Sequence, residues 1–516
     1  MATPTELRAS ASETPAPGIA RQQRIFRSRE TDLARQAVSV LAWVGPRIAK
    51  IEPLRRSLVR TWERKIWQSG RADVASGKKP PGVARDRTAI GVAILKVVER
   101  VLAEDRLSPN SLKKFLHVLI GDAIINQGEP SVAERFQAEH GVQPPKILLI
   151  SPTKACNLLC KGCYADSSGT REKLEWDIMD KMVQEVHDLW GGRFIVLSGG
   201  EPLLYRDNGK DILDLAEKHG DCFFMMYTNG TLIDDRMARR MSDIGNIMPA
   251  ISVEGLRERT DERRGRGVFD RTLAAMERLR REKVFYGISM TATRENVEEI
   301  LSDEVIDFYF DKMGALFAWI FQYMPIGRSY TLELLPTPEQ RRWMWERSWQ
   351  LVYERKIFLA DFWNSGSATH GCISAGREGG YMAVDWNGNV IPCVFLPYSP
   401  VNIRDIYSQG KNLNDVWAHP FFERIRAWQY QYGFRNREGR LGWDGNLIMP
   451  CPIRDHYAEF SEMVKGFDLV PVDENAAAAL KDPDYRQGLI DYNRAVAALL
   501  DPVWKSRYIE DKNSLM

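Results

Sequence analysis

The stretch KILLISPTKACNLLCKGCYAD, residues 146–166, decides how this chain folds. It joins a short apolar run, Lys146–Ser151, to three cysteines at positions 156, 160 and 163. The apolar run predicts a buried β-strand, and the cysteine loop follows its carboxyl end. Thiolates are ligands of iron–sulfur clusters, and a cluster of four irons takes four of them. Because Cys156, Cys160 and Cys163 have no fourth cysteine nearby, the spacing predicts a cluster with one iron open to another ligand.

Short apolar runs alternate with helical stretches from this loop to about residue 330. The predicted strands are Lys146–Ser151, Phe194–Ser198, Phe223–Thr228, Ala250–Val253, Gly287–Thr293 and Phe317–Tyr323. Helices are predicted near 175–190, 208–219, 234–243, 268–283 and 296–313. Such alternation is typical of parallel β/α units. Six units predict an α/β fold, a partial (β/α)6 barrel of the TIM type with its chemistry in the loops after the strands.

The segments on either side of the barrel differ from it in composition. The whole division is a disordered arm at 1–30, a basic helical region at 31–144, the barrel at 145–330, a helical connection at 331–365, a loop-rich cysteine region at 366–460 and a helical tail at 461–516. The 516 residues are 44% hydrophobic and 27% charged, which suits a globular protein of two or three domains.

The positive charge is concentrated at the N-terminal end. The net charge is only +2, but residues 1–87 hold 18 Lys and Arg against 8 Asp and Glu. Within this region the predicted helix Glu52–Trp67 repeats Leu54, Leu58, Trp62 and Ile66 every four residues among basic side chains. Such a helix can lie on an anionic membrane surface, or its apolar stripe can pack on the next helix. No nucleic-acid partner is expected.

The cysteine count and the N-terminus indicate the compartment. Seven cysteines in this length are no disulfide framework, which favours a reducing environment. Residues 1–20 lack the apolar core of a secretory signal. The apolar run Ala37–Val44 is far short of the roughly 20 residues that span a bilayer. We therefore expect a cytoplasmic protein, with peripheral membrane association as the alternative.

The cysteine loop, together with Ser198-Gly-Gly-Glu-Pro202 after the second strand, resembles the radical S-adenosylmethionine (radical SAM) enzymes. The resemblance implies that Cys156, Cys160 and Cys163 hold a catalytic 4Fe-4S cluster. The amino and carboxylate groups of S-adenosylmethionine would bind its open iron. An electron from a donor such as flavodoxin or ferredoxin would then cleave the cofactor. The product is a 5′-deoxyadenosyl radical that abstracts hydrogen from a substrate.

The resemblance also implies the cofactor contacts. Gly199, Gly200 and Glu201 would receive the methionyl amino group, with the Glu201 carboxylate facing the ammonium. The other expected cofactor-binding residues lie on the third, fourth and fifth strands or just beyond them: Asn229, Ser252, Glu254, Ser289 and Arg294. Two positions depart from the family pattern. Relatives often have Asp where this chain has Glu254, and they usually have an aromatic residue where it has Gly162.

A second cysteine group, Cys372, Cys393 and Cys451, lies in the C-terminal half. The segment Tyr381–Cys393 predicts two strands joined by an Asn-Gly turn, which would bring Cys393 beside Cys372. This arrangement resembles the SPASM or twitch extension of radical SAM enzymes. Three cysteines imply one auxiliary iron–sulfur cluster at most, with His456, Asp455, His370 or the substrate as candidates for its fourth ligand.

Three functions remain open from the sequence. The first is a radical SAM enzyme that acts on a peptide, a natural product or another soluble substrate. The second is a radical SAM enzyme that modifies a lipid at a membrane surface, through the basic N-terminal arm. The third is a non-catalytic iron–sulfur or zinc protein, against which the Gly199–Glu201 turn argues.

Overall fold

The structure is a computed structural model that describes residues 51–77, 79–125, 130–434 and 445–511. The predicted disordered arm, 1–30, and the first part of the basic helical region lie outside the described residues. The helices before the first strand are α1 (Glu52–Ala75), α2 (Pro81–Ala103), α3 (Pro109–Lys114, continued as a π-helix over Phe115–Ile125) and α4 (Pro130–His140).

Alternating strands and helices follow. The strands are β1 (Ile147–Ile150), β2 (Phe194–Leu197), β3 (Phe223–Thr228), β4 (Ile247–Val253), β5 (Gly287–Ala292), β6 (Ala318–Gln322) and β7 (Leu359–Asp361). The helices are α5 (Trp176–Trp190), α6 (Ile212–Lys218), α7 (Asp235–Ile244), α8 (Arg257–Arg264), α9 (Val268–Arg281), α10 (Val297–Ile300), α11 (Asp303–Ile306, continued to Met313) and α12 (Pro338–Gln350, continued to Arg355).

The C-terminal part is built from short elements. The strands are β8 (Tyr381–Val384), β9 (Asn389–Ile391), β10 (Tyr398–Ser399), β11 (Val401–Asn402) and β12 (Val470–Pro471). The helices are α13 (Gly366–Thr369), α14 (Ile403–Ser408), α15 (Leu413–Trp417), α16 (Pro420–Gln429, continued to Phe434), α17 (Pro452–Asp455), α18 (Tyr457–Met463), α19 (Glu474–Ala479) and α20 (Pro483–Val503, continued to Glu510).

One sheet carries the architecture, in the order β11-β9-β8-β1-β2-β3-β4-β5-β6-β7. The predicted α/β barrel is confirmed, and all six predicted strands lie side by side and parallel. The structure adds a parallel strand at each edge, because β7 pairs with β6 and β8 pairs with β1. These strands come from the predicted helical connection and from the cysteine region, so those two segments extend the barrel wall. The predicted hairpin before Cys393 is also confirmed, as β8 and β9 are antiparallel.

Helix α1 packs on α2, as one of the two interpretations of its apolar stripe predicts. Leu58, Trp62 and Ile66 are half-buried, and a Cβ on Gly91 of α2 would meet Ile66 at 3.4 Å. Leu54, at the start of the helix, is 48% exposed. Within the part of the chain that the structure describes, no helix has the length and hydropathy needed to cross a membrane.

Candidate active site

The loop after β1 carries Cys156, Cys160 and Cys163, hereafter the first triad. All three are free, half-buried and part of the wall of one cavity of about 240 Å³. Burial raises the pKa of Cys156 to about 11, and the charges of Glu201 and the other two cysteines add to the effect. Crowded thiols of this kind become thiolates when a metal supplies positive charge. The arrangement therefore suits a metal cluster.

Among the described residues, no three His, Cys, Asp or Glu side chains are placed to share one metal ion. An iron–sulfur cluster presents a separate iron to each thiolate, so its ligands are spread around the cluster. Three cysteines in one loop are the donor set of a cluster that keeps one iron open.

The Gly199–Glu201 turn packs directly against the cysteine loop. The amide of Gly200 donates to the Thr153 carbonyl and that of Glu201 to the Ala155 carbonyl, both at 2.8 Å. A Cβ on Gly200 would lie 2.2 Å from the Ala155 oxygen. A glycine is thus required here because the two backbone segments are too close for a side chain. Its amide already donates a hydrogen bond within the protein.

The side chain of Glu201 accepts hydrogen bonds from the end of the next strand, β3. It is 1% exposed and accepts hydrogen bonds from Thr228 Oγ1 at 2.6 Å, the Asn229 amide at 2.8 Å and the Leu203 amide at 3.2 Å. Burial raises the pKa of Glu201, and these hydrogen bonds oppose the rise. Both carboxylate oxygens therefore have partners within the chain, and Glu201 is also part of the cavity wall.

Three more of the expected cofactor contacts line the cavity at the carboxyl ends of their strands. They are Asn229, Ser252 and Ser289. The hydroxyls of Ser252 and Ser289 lie 3.2 Å apart on β4 and β5. Asn229 donates to Asn157 Oδ1 at 2.9 Å, and its Nδ2 is 3.9 Å from Cys156 Sγ. Parallel strands end at one edge of the sheet, which is why these polar groups meet beside the first triad.

Two expected contacts do not line the cavity, which corrects the sequence analysis. The Glu254 side chain is fully buried and accepts from Arg263, from Arg264 Nε at 2.9 Å and from the Thr291 amide at 3.0 Å. Arg294 Nε donates to the Leu335 carbonyl at 3.1 Å, outside the barrel mouth. Both side chains are held by neighbouring segments, which the local sequence did not reveal.

Sequence reasoning missed the two arginines that Glu254 holds. Arg263 and Arg264, at the end of α8, both line the cavity. Burial lowers the pKa of Arg264, but the charges of Glu254, Cys160 and Cys163 outweigh it and leave the pKa raised. In the sequence, the one sign of their role was that two arginines stand next to each other shortly after the strand that carries Glu254. Their guanidinium groups are suited to a carboxylate on a bound molecule.

The structure explains the glycine at position 162. Gly162 has a positive φ of 63°, and a Cβ there would lie 2.7 Å from the ring of Tyr323. Tyr323, just after β6, lines the cavity and donates to the Ser329 carbonyl at 2.7 Å. An aromatic ring thus fills the space beside the first triad, but it comes from the sixth strand.

The loop after β6 also holds the cysteine loop in place. Arg328 donates to the Cys160 carbonyl at 2.9 Å through Nη1 and to Asp166 at 3.2 Å through Nε. Its amide donates to the Cys163 carbonyl at 3.0 Å. Arg328 does not line the cavity, so its contacts position the loop that carries the thiols.

The second group, Cys372, Cys393 and Cys451, is hereafter the auxiliary triad. Its thiols are free and close enough to influence one another. Burial and the charge of Cys372 raise the pKa of Cys393 to about 12. Burial, Asp455 and the other two cysteines hold the pKa of Cys451 far above its usual range. The donor set again suits a metal cluster, whose charge would stabilise the thiolates.

Two candidates for a fourth ligand have other partners. The Asp455 carboxylate is bound to Arg341 and accepts from the Cys451 amide at 3.0 Å. His456 Nε2 contacts the Met449 carbonyl at 2.8 Å. Asp455 is thus held by the fold around Cys451, whereas the hydrogen bond through Nε2 leaves Nδ1 of His456 as its metal-binding atom.

The cavity reaches from the first triad toward the auxiliary triad. Ile373 and Val394, which directly follow Cys372 and Cys393, are in its wall. The remaining wall is mostly apolar and aromatic and includes Leu149, Met225, Tyr227, Trp319, Phe321, Phe362, Tyr381 and Phe395. One apolar chamber therefore adjoins both cysteine groups.

Comparison with known proteins agrees with this geometry. The model of the radical SAM superfamily matches residues 150–303, and that of the SPASM iron–sulfur cluster-binding domain matches residues 372–439. The AdoMet-dependent heme synthase of Methanosarcina barkeri is 28% identical over 309 residues, 55% of this chain and 85% of that protein. The Fe-coproporphyrin III synthase of the same organism is 30% identical over 185 residues, 33% of this chain and 46% of that protein.

Among solved structures, Streptococcus suis SuiB bound to S-adenosylmethionine has a TM-score of 0.48 at 19% identity, over 62% of this chain and 75% of that one. The family matches cover both cysteine groups apart from Cys451. They identify the cofactors as a 4Fe-4S cluster, S-adenosylmethionine and auxiliary iron–sulfur chemistry. The chain thus carries a radical SAM domain at residues 150–303 and a SPASM iron–sulfur cluster-binding domain at residues 372–439, the two parts expected from its cysteine groups.

Proposed function

We propose that this enzyme generates a 5′-deoxyadenosyl radical at the first triad and removes hydrogen from an apolar part of a soluble substrate. The observation that carries the proposal is the single apolar chamber beside both cysteine groups. When bound, the cluster and S-adenosylmethionine would supply the radical, at the cost of one electron from an external reductant and with release of methionine. The mostly apolar wall of the chamber disfavours water, which would protect such a reactive species from side reactions.

In this proposal the residues that line the cavity divide into cluster ligands, cofactor contacts and residues that position them. Cys156, Cys160 and Cys163 hold the cluster, and Arg264 faces the carboxylate of the cofactor. Asn229, Ser252 and Ser289 offer hydrogen bonds around the cofactor at the ends of β3, β4 and β5. The backbone of Gly199 and Gly200 supports the loop, and Glu201 positions Asn229 through its amide.

The auxiliary triad holds one cluster on the far side of the substrate. The three thiols of Cys372, Cys393 and Cys451 are its ligands in this proposal. The apolar wall between the two groups then places the substrate within reach of both clusters.

For the substrate class, a tetrapyrrole is the first candidate. The names of the two relatives, a heme synthase and an Fe-coproporphyrin III synthase, support it, and the former is matched over most of its length. A flat apolar macrocycle also suits walls built from rings such as Trp319, Phe321 and Phe395. A peptide with an apolar side chain, the class first expected from the sequence, suits the same walls.

The proposal is tested by anaerobic turnover. Reconstituted enzyme with dithionite should convert S-adenosylmethionine to 5′-deoxyadenosine, measured by chromatography. Cys160→Ala should lose this activity, because the cluster then lacks a ligand, whereas Cys222→Ala, a buried thiol outside both triads, should keep it. Wild-type turnover by Cys160→Ala would refute the ligand assignment.

The substrate class needs a second readout from the same reaction. The reaction is run with unlabelled S-adenosylmethionine and a deuterated substrate. Deuterium should appear in 5′-deoxyadenosine only if the enzyme abstracts hydrogen from that substrate. Iron coproporphyrin and an apolar peptide are the two probes. Label from the peptide alone would replace the tetrapyrrole candidate, and label from neither would refute both.

A further inference from the structure

Each sulfur of the auxiliary triad has a hydrogen-bonding side chain of its own. Tyr381 Oη lies 2.8 Å from Cys393 Sγ, and Ser374 Oγ lies 3.1 Å from Cys372 Sγ. The side chain of Trp363 is hydrogen-bonded to Cys451. These three partners come from β8, from the loop before it and from the turn after β7. The hydrogen-bonding side chains therefore come from separate segments that the tertiary fold brings together, and not from one local motif.

The direction of these hydrogen bonds follows from the chemistry of the ligands. A thiolate bound to iron has no proton, so the hydroxyls of Tyr381 and Ser374 must be the donors. The indole of Trp363 can only donate. In all three contacts the side chain is thus the hydrogen-bond donor and the sulfur is the acceptor.

The first triad is different. Among the described residues, its sulfurs receive one side-chain hydrogen bond, the long 3.9 Å contact from Asn229 to Cys156. The backbone amide of Leu158 also contacts Cys156. Short side-chain donors to every sulfur are therefore particular to the auxiliary triad.

A buried cation lies close to the same region. Arg454 is fully buried, and its guanidinium lies 5.0 Å from the centre of the Trp363 ring. Its Nε and Nη1 have no hydrogen-bond partner among the described residues. A buried cation without a bonded carboxylate is costly unless an anionic group is near. The buried carboxylate of Asp455 is near enough to interact with this charge, and a thiolate-bound cluster would add further negative charge.

We propose that Tyr381, Ser374 and Trp363 are positioning residues that raise the reduction potential of the auxiliary cluster above that of the catalytic one. Hydrogen bonds to cluster sulfur raise the potential because they stabilise the more negative, reduced state. The effect is strong for Tyr381, because its ring is buried and the local dielectric is low. The inference rests on the proposed ligands of the auxiliary triad.

The test is a redox titration of the full-length, reconstituted enzyme, followed by electron paramagnetic resonance. In the wild type, the auxiliary signal should be the first to form as the potential is lowered. Tyr381→Phe should move its midpoint to a more negative potential and leave the catalytic cluster unchanged. Tyr398→Phe is the matched control, since this buried tyrosine of the same region donates to the Ala476 carbonyl at 3.2 Å instead of to sulfur.

An unchanged auxiliary midpoint in Tyr381→Phe would overturn the inference. Should that variant lose its cluster, Ser374→Ala and Trp363→Phe decide the question, since both should shift the midpoint in the same direction. The iron content of the wild-type enzyme distinguishes a wrong role for the three donors from a wrong assignment of the cluster ligands. About eight irons per chain with unshifted potentials would refute only the role of the donors, whereas about four irons would refute the auxiliary cluster itself.

Discussion

Gly200 lies where the backbone of the turn after β2 comes closest to the cysteine loop. Its amide donates to the Thr153 carbonyl, and a Cβ there would be 2.2 Å from the Ala155 oxygen and 2.7 Å from the Lys154 oxygen. Real Cβ atoms do not come so close to backbone oxygen. A side chain at this position must therefore displace the loop that carries Cys156.

We expect Gly200→Ala to lower the iron content of the first triad and to destabilise the fold by about 1–3 kcal/mol, as overpacking does. Iron analysis and urea unfolding would measure the two effects. Gly169→Ala is the control, because a Cβ at Gly169 meets nothing within 4 Å. Equal iron content in the two variants would contradict the prediction.

At the scale of elements, a buried ion pair joins α12 to α17. Arg341 and Asp455 are both fully buried, and Asp455 also accepts from the Cys451 amide. Burial alone would raise the pKa of Asp455, but the charge of Arg341 outweighs it and lowers the pKa. Because the native pKa is below the unfolded one, this stabilisation is present at neutral pH and is lost as the pH falls through the usual Asp range.

Removal of one partner leaves the other charge buried without compensation. We expect Arg341→Leu to destabilise the protein by about 3–5 kcal/mol at neutral pH, measured by denaturant unfolding. On the same helix, Arg347 pairs with Asp303, which is 71% exposed. Arg347→Leu should cost at most about 1 kcal/mol. Comparable losses in the two variants would contradict the argument from burial.

At the scale of the whole molecule, the eight parallel strands do not close into a full barrel. Within the described residues, β7 and β8 are the two outermost strands of the parallel set, and they do not pair with each other. Aromatic rings occupy the region between them. Phe395 lies 5.3 Å from Trp363, 6.0 Å from Phe362 and 5.5 Å from Tyr164, measured between ring centres. Side-chain packing thus joins the barrel, the cysteine loop and the C-terminal region.

We expect Phe395→Ala to destabilise the protein by about 3–5 kcal/mol, because it opens a cavity among these rings. Phe395→Leu keeps most of the apolar volume and should cost less, roughly 1.5 kcal/mol or below. Chemical denaturation would measure both. If the two variants were equally stable, the rings would not be packed as the structure has them.

The sequence by itself determined the strand–helix order of the barrel and both cysteine groups. These features are local: apolar runs of strand length, helical periodicity and ligand spacing are present in short windows of the chain. It also predicted the residues at the strand ends, because parallel strands bring their carboxyl ends together.

Only the tertiary structure decided which side chains face the cavity. Glu254 is turned into the protein while Arg264, ten residues later, reaches the first triad, and Tyr323 fills the space beside Gly162. The short edge strands β7 and β8 also depend on pairing with β6 and β1, which lie far away in sequence. Periodicity is a property of neighbouring residues, whereas these contacts join segments that meet only when the whole sheet assembles.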